Sequence, residues 1–261
     1  MTASAAGEPR TYRKSRSGAP SGFFAVEAAG LAWLGEATPT GGVPVAEPVE
    51  VRADGIVLAY VEQTPPSTAH AESFGRSLAA THRAGARHHG CPPGDWDSDG
   101  FIATLRLPHL RAPGEGSWAG FYAKHRVLPF ARAAGLDRDP AVRRLCDRLL
   151  AGDEDLTGPP EPPARLHGDL WSGNVLWSAN GAVLADPAAR GGHRETDLAM
   201  LALFGLPHLD RMMAAYDEAC PLAEGWRDRV ALHQVHPLLV HAALFGGGYG
   251  RQAVSAARRY V

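Results

Sequence analysis

Arg165-Leu166-His167-Gly168-Asp169-Leu170-Trp171-Ser172-Gly173-Asn174-Val175-Leu176 decides how this chain is read, together with Val183-Leu184-Ala185-Asp186-Pro187 just beyond it. Two apolar runs flank a polar loop that carries His167, Asp169 and Asn174. A second carboxylate, Asp186, closes the next apolar run. Phosphoryl transfer assisted by Mg²⁺ needs this set: one carboxylate to take the proton of the attacking hydroxyl, then an Asn and a second Asp to hold the metal. Each residue alone is a weak sign. The spacing and the strand-loop-strand setting make it a strong one.

Asn180-Gly181 between the two runs is a two-residue hairpin signal. It is expected to pair Val175–Ser178 with Ala182–Ala185, which puts Asn174 and Asp186 at the same open end of a ribbon. Asp169 is then the candidate catalytic base, a role commonly worth about 10²–10⁴ in rate. Asn174 and Asp186 are the candidate metal ligands, since Mg²⁺ takes a few protein oxygens and completes its shell with phosphate and water. His167 is read as orienting the loop from a half-buried position rather than moving protons. Trp171 is a pocket wall for a sugar or amine, with core packing as the equal alternative. Asp197, at the start of a later helix, is placed to reach back and hold the backbone of the 167–174 loop.

Composition narrows the rest. The chain has 261 residues, 45% hydrophobic and 21% charged, which is enough for two lobes around a sizeable core. A net charge of −2 argues against a nucleic-acid partner or an anionic membrane surface. Three cysteines, Cys91, Cys146 and Cys220, are too few and too scattered for a disulfide framework or a zinc site. No apolar run is long enough to span a bilayer, and the first residues lack the apolar core of a signal peptide, so a cytoplasmic protein is expected. Only two of the 26 basic residues are lysines, Lys14 and Lys124. Lys14 lies on a possible strand over 11–16, and Glu27 lies in a helix predicted over Phe23–Leu34. The two would suit a phosphate-positioning pair. Taken alone, Lys14 reads better as a solvated lysine on a charged stretch.

Outward from the loop, residues 1–10 read as disordered, and Val49–Arg52 with Gly55–Val61 as a hairpin. Glu62-Gln63-Thr64-Pro65-Pro66 breaks the pattern and is taken as the boundary between a unit over 1–63 and a unit over 64–261. A helix is expected over Thr68–Arg83, closed by Gly85. Residues 86–116 read as loop. Ser117 is expected to cap a helix through Ala134, kinked at Pro129, and Asp139-Pro140 to start another with Cys146 on its apolar face. Gly152–Pro163 reads as loop, and helices are expected over 195–204, 208–219, 226–245 and 249–260.

His167 to Asn174 resembles the signature of the fructosamine kinases, also called ketosamine 3-kinases. Trp171-Ser172-Gly173 narrows a pattern otherwise shared with aminoglycoside and choline phosphotransferases. Asp186-Pro187-Ala188, Gly192-His193-Arg194-Glu195, Asp197-Leu198-Ala199-Met200 and Leu244 to Tyr249 fit the same family, as do Trp96, Gly100-Phe101-Ile102 and Trp118 to Pro129. The resemblance implies an α+β, protein-kinase-like fold of two lobes: a small β-rich N-lobe, shortened at its start, and a mostly helical C-lobe. It implies an enzyme that uses ATP and Mg²⁺ to phosphorylate the 3-hydroxyl of a ketosamine, free or protein-attached, whose product then breaks down and frees the amine; separately, a monomer is expected. On this resemblance Asp169 is the base, Asn174 and Asp186 hold the metal, and Lys14 with Glu27 positions phosphate. Adenine would meet backbone groups at Glu62 and Gln63. Two departures stand out. The family has a strand pair and a phosphate-covering loop before the lysine, where this chain has 13 residues. Either the start lies upstream of Met1 or the lid is missing, and a pseudokinase is then the rival from another class. The family also carries aromatic residues where this chain has Ala189-Arg190-Gly191, a position expected to line the acceptor pocket.

Overall fold

Gly55–Ala59 forms the central strand of the N-terminal sheet (β3), paired antiparallel with β1 (Thr11–Ser15) and with β2 (Pro48–Arg52). Ile56 and Leu58 point inward and pack on Phe24 and Leu31 of α1 (Phe23–Gly35). The same register sets Lys14 opposite Ile56. The computed structural model describes residues 10–113 and 117–261. The disorder expected for residues 1–10 falls outside these except at Arg10, whose carbonyl extends the ladder by accepting from the Tyr60 amide at 3.0 Å.

α2 (Thr68–Arg83) has the predicted bounds. Ser67 caps it by accepting from the His70 amide, and the chain leaves through Gly85 at φ +72°. Phe74 and Leu78 on its inner face pack with Met212 and Tyr216 of α8 (Leu209–Ala219). Gly75 lets the two helices approach. A Cβ there would sit 2.2 Å from the Met212 carbonyl oxygen and 2.9 Å from the Tyr216 nitrogen. Both are backbone atoms, so Gly75→Ala must separate the helices. A loss of about 1–3 kcal/mol is expected, read as a lower urea midpoint at unchanged slope.

The stretch read as loop over 86–116 contains a small hairpin, β4 (Gly100–Ile102) with β5 (Leu105–Leu107). Its strands are three residues long and its turn uses Ala103 at φ +49°, so neither alternation nor a turn glycine marks it. Ser117 caps α3 (Trp118–Tyr122), which widens into a π-helical turn over Ala123–Val127 before α4 (Leu128–Ala133). This is how the chain absorbs Pro129. A proline lacks the amide hydrogen and crowds the carbonyl four residues back, and a π turn supplies the slack. The carbonyl concerned, that of His125, instead accepts from Arg126 Nη1 at 2.8 Å.

α5 (Pro140–Leu150) is capped by Asp139 and buries Val142, Leu145, Cys146 and Leu149. The 152–163 connection holds one short turn, α6 (Glu154–Thr157). β6 (Ala164–Leu166) then pairs with β9 (Arg190–Gly192), a strand the sequence did not announce. β7 (Val175–Ser178) pairs with β8 (Gly181–Leu184), one residue earlier than expected. The turn residues are Ala179 and Asn180. The Ser178 hydroxyl accepts from the Asn180 amide and donates to the Gly181 carbonyl, which selects this turn over the one centred on Asn-Gly. The open end is unaffected: the Ala185 amide donates to the Asn174 carbonyl at 3.0 Å.

α7 (Glu195–Phe204), α8, α9 (Trp226–Phe245) and α10 (Tyr249–Arg258) complete a mostly helical second part, close to the expected limits. α9 runs through its core against α3, α4, α7 and α10. The ribbon is sewn to the N-terminal part by Leu184, whose amide donates to the Pro44 carbonyl and whose carbonyl accepts from the Ala46 amide, both at 2.8 Å. The fold is α+β. No helix among the described residues is long and apolar enough to cross a membrane.

Candidate active site

The polar loop is held from beneath by one carboxylate and one guanidinium. Asp197, 1% exposed at the start of α7, accepts from the His167 amide at 2.8 Å and the Gly168 amide at 2.9 Å. His82 Nε2 of α2 reaches the same carboxylate at 3.3 Å, and His82 Nδ1 meets the Tyr216 hydroxyl at 2.8 Å. Burial works against the charge on Asp197, but the hydrogen bonds from His82 and the Gly168 amide hold its carboxyl below the ordinary range. Arg190 Nη1 donates to the carbonyls of Gly168 at 3.1 Å and Ala188 at 2.9 Å. Gly168 is left-handed, and a Cβ there would fall 2.2 Å from the Ala188 oxygen, so only glycine fits this crossing.

His167 is buried and ties the loop to the end of β8. Its Nε2 donates to the Ala185 carbonyl at 2.9 Å, and its Nδ1 accepts from the Asp169 amide at 3.3 Å. Burial lowers its pKa, and the two bonds together define the neutral ring with hydrogen on Nε2. Asn174 spends its amide nitrogen inside the site, donating to Asp169 O at 2.8 Å, Asp169 Oδ2 at 3.2 Å and Asp186 O at 3.4 Å. Its side-chain oxygen is thereby the part left for a cation. Asp186 adopts φ +55°, a left-handed conformation that costs a non-glycine residue energy and recurs at functional sites. Its carboxylate is 45% exposed and pairs with Lys14. Lys14 also contacts Glu27 Oε2 at 2.9 Å, and Glu27 is buried on α1.

The structure thus brings Lys14, Glu27, Asp169, Trp171, Asn174 and Asp186 to one cleft of about 540 Å³. Burial pushes the Asp169 carboxyl above its usual value, against the Asn174 hydrogen bond. Trp171 is 41% exposed and lies across Gly173, where a Cβ would come within 2.3 Å of the indole. It is therefore a surface of the cleft and not core. Glu62 and Gln63 are exposed in the segment after β3 and do not line this cleft. The next amide, Thr64, donates to the Trp177 carbonyl in β7 at 2.8 Å.

The expectation that Ala189-Arg190-Gly191 lines the acceptor pocket is corrected. All three are buried and none lines the cleft. Pairing of β9 with β6 turns this strand inward, and a Cβ at Gly191 would strike the His88 carbonyl at 2.2 Å. The following residues are structural. Arg194 forks onto Glu161 with two contacts of 2.7 Å, and Arg229 of α9 forks onto Glu195 at 2.7 and 3.0 Å. Sequence reasoning missed the far wall of the cleft, made by Phe23 and the Phe101–Thr104 turn. Phe23 packs on Phe101 with ring centroids 5.2 Å apart and the rings tilted by 46°. The motif Gly100-Phe101-Ile102 was visible, but its hairpin was not.

A small sheet with one helix, a helical second part and a carboxylate-bearing ribbon between them define a protein-kinase-like phosphotransferase acting on hydroxyl groups. Solved structures share this fold. A macrolide 2'-phosphotransferase from Brachybacterium faecium aligns over 95% of this chain and 84% of its own, with a TM-score of 0.58 at 16% identity. A putative fructosamine-3-kinase from Thermobifida fusca aligns over 96% of this chain and 85% of its own, with a TM-score of 0.84 at 46% identity. A probable ketoamine kinase of Thermus thermophilus is 37% identical over 235 residues, 88% of this chain and 79% of the relative. The fructosamine kinase family model matches residues 4–261, and the chain belongs to that family.

Proposed function

We propose that the protein transfers the γ-phosphoryl group of ATP to the 3-hydroxyl of a ketosamine, a fructosamine or ribulosamine adduct of a free or protein-bound amine, with Mg²⁺. The observation that carries this reading is the convergence of Asp169, Asn174 and Asp186 with the Lys14–Glu27 pair on one cleft. The donor set fits Mg²⁺: the Asn174 side-chain oxygen and the Asp186 carboxylate are hard oxygens on a half-open wall, and these two residues would hold it. When bound, the ion neutralises charge on the phosphates. Lys14, oriented by Glu27, would exchange its contact with Asp186 for phosphate oxygens. Adenine would meet the backbone near Glu62 and Gln63. The sugar hydroxyl oxygen attacks the γ-phosphorus, its proton passes to Asp169, and the bond to the β-phosphate oxygen breaks to release ADP. Trp171 forms a wall for the sugar. Breakdown of the 3-phosphate then frees the amine, which amounts to repair of glycation.

The test is ADP release with Mg²⁺, ATP and a panel of acceptors. Turnover of a ribulosamine or fructosamine supports the reading. Turnover confined to aminoglycosides or choline overturns it. A pH profile adds an independent check. Asp169 acts as base only when ionised, and its pKa is raised, so kcat/KM should rise with pH along a limb whose midpoint lies above the ordinary Asp value of about 3.9. A limb at or below that value would separate Asp169 from proton transfer.

A further inference from the structure

Arg126, on the π turn behind the polar loop, is 1% exposed. Its guanidinium stays charged in proteins. Nη1 donates to the carbonyls of Pro108 and His125, and the group lies 4.7 Å over the Phe121 ring, but Nε and Nη2 have no hydrogen-bond partner among the described residues. His236 of α9 is 2% exposed, and neither of its ring nitrogens has a partner there. Arg126, His236 and the buried Arg190 line one small cavity with about 10 Å³ of room. Every residue lining it is buried, and none is an Asp or Glu. Across the polar loop Arg190 is compensated in part by Asp197 and Asp169. Asp99 does the same for Arg126 from a distance, but its oxygens already take hydrogen bonds from Arg106 and the His109 amide.

Two buried guanidiniums facing one cavity without a carboxylate in its wall are strongly unfavourable unless something negative joins them. The room suits a single water-sized or monatomic occupant and excludes phosphate or sulfate. We propose that this cavity is a halide site, with one chloride held between Arg126 and Arg190 and His236 as a third donor. A water would offer lone pairs but no charge. The ion acts as a positioning element. It fixes the guanidinium that holds the Gly168 carbonyl, and so sets the loop bearing Asp169 from below.

Crystals of the full chain grown in sodium bromide test this directly. An anomalous bromide peak bounded by Arg126, Arg190 and His236 is expected, and the absence of one in that cavity overturns the proposal. In solution, the melting midpoint should be at least about 2 °C higher in sodium chloride than in sodium gluconate of equal ionic strength, because an occupant that binds only the folded state stabilises it. In Arg126→Met, or in His236→Leu if the first variant does not fold, that difference should vanish. An equal chloride response in wild type and variant overturns the proposal, since it would report a general salt effect.

Discussion

Asp169→Asn should lower kcat by about 10³-fold while leaving KM for ATP within about twofold. The exchange keeps size and shape, and an amide oxygen can still accept from Asn174, as Asp169 Oδ2 does now at 3.2 Å. The loop itself does not depend on this side chain. Its backbone is held by Asp197 and Arg190, so melting should barely change. What would be lost is the proposed acceptor of the hydroxyl proton, together with a negative charge. Steady-state kinetics with a ketosamine acceptor and a melting curve on the same sample check both halves. A fall in kcat of less than tenfold would remove Asp169 as the base.

The largest effect on stability should come from Asp197→Ala, at about 3–5 kcal/mol. Three donors lose their acceptor at once: the amides of His167 and Gly168 and the ring of His82. All are buried, and each unsatisfied donor costs about 1–3 kcal/mol. Urea unfolding of Asp197→Ala against wild type reads this, and Asp197→Asn, which keeps one acceptor, should lose less. The sign with pH follows from the depressed carboxyl of Asp197. Its contribution is present in full above the ordinary Asp pKa of about 3.9 and is lost as pH falls through the lower folded value, so the gap between wild type and variant should close in acid. A gap that stays constant into acid, or one below about 1 kcal/mol at neutral pH, would remove Asp197 as the clamp.

Much of the fold could be read from residues whose local chemistry leaves one choice. Ala84-Gly85 ends α2, and Asp139-Pro140 starts α5, whose Val142, Leu145, Cys146 and Leu149 recur at helical spacing. The loop and its ribbon were legible for the same reason, since Asn174 and Asp186 must share an open end in any hairpin made by the residues between them. Other features depend on partners far away in the chain. β9 exists because β6 waits for it, and β4–β5 is too short to carry a pattern. Lys14 looked like a solvated charge until α1 set Glu27 beside it. The ribbon register slipped by one residue because the Ser178 hydroxyl outweighed the Asn-Gly signal. Nothing in the sequence singles out Arg126. Only the unwinding forced by Pro129 and the packing of α9 show it to be interior.

Leu184 is bonded on both sides to the connection before β2, and that bears on how the cleft breathes. A hinge needs a few residues whose φ and ψ are free to change. Pro44 to Ala46 are not free, because their backbone groups are already committed to the ribbon. The strand that delivers Asp186 is therefore tied, through this connection and β2, to the sheet that delivers Lys14. Among the described residues the opposite wall carries no such tie: it is an eight-residue hairpin from Gly100 to Leu107 that meets α1 through the Phe23–Phe101 contact, so any adjustment of the cleft to a bulky acceptor would fall there.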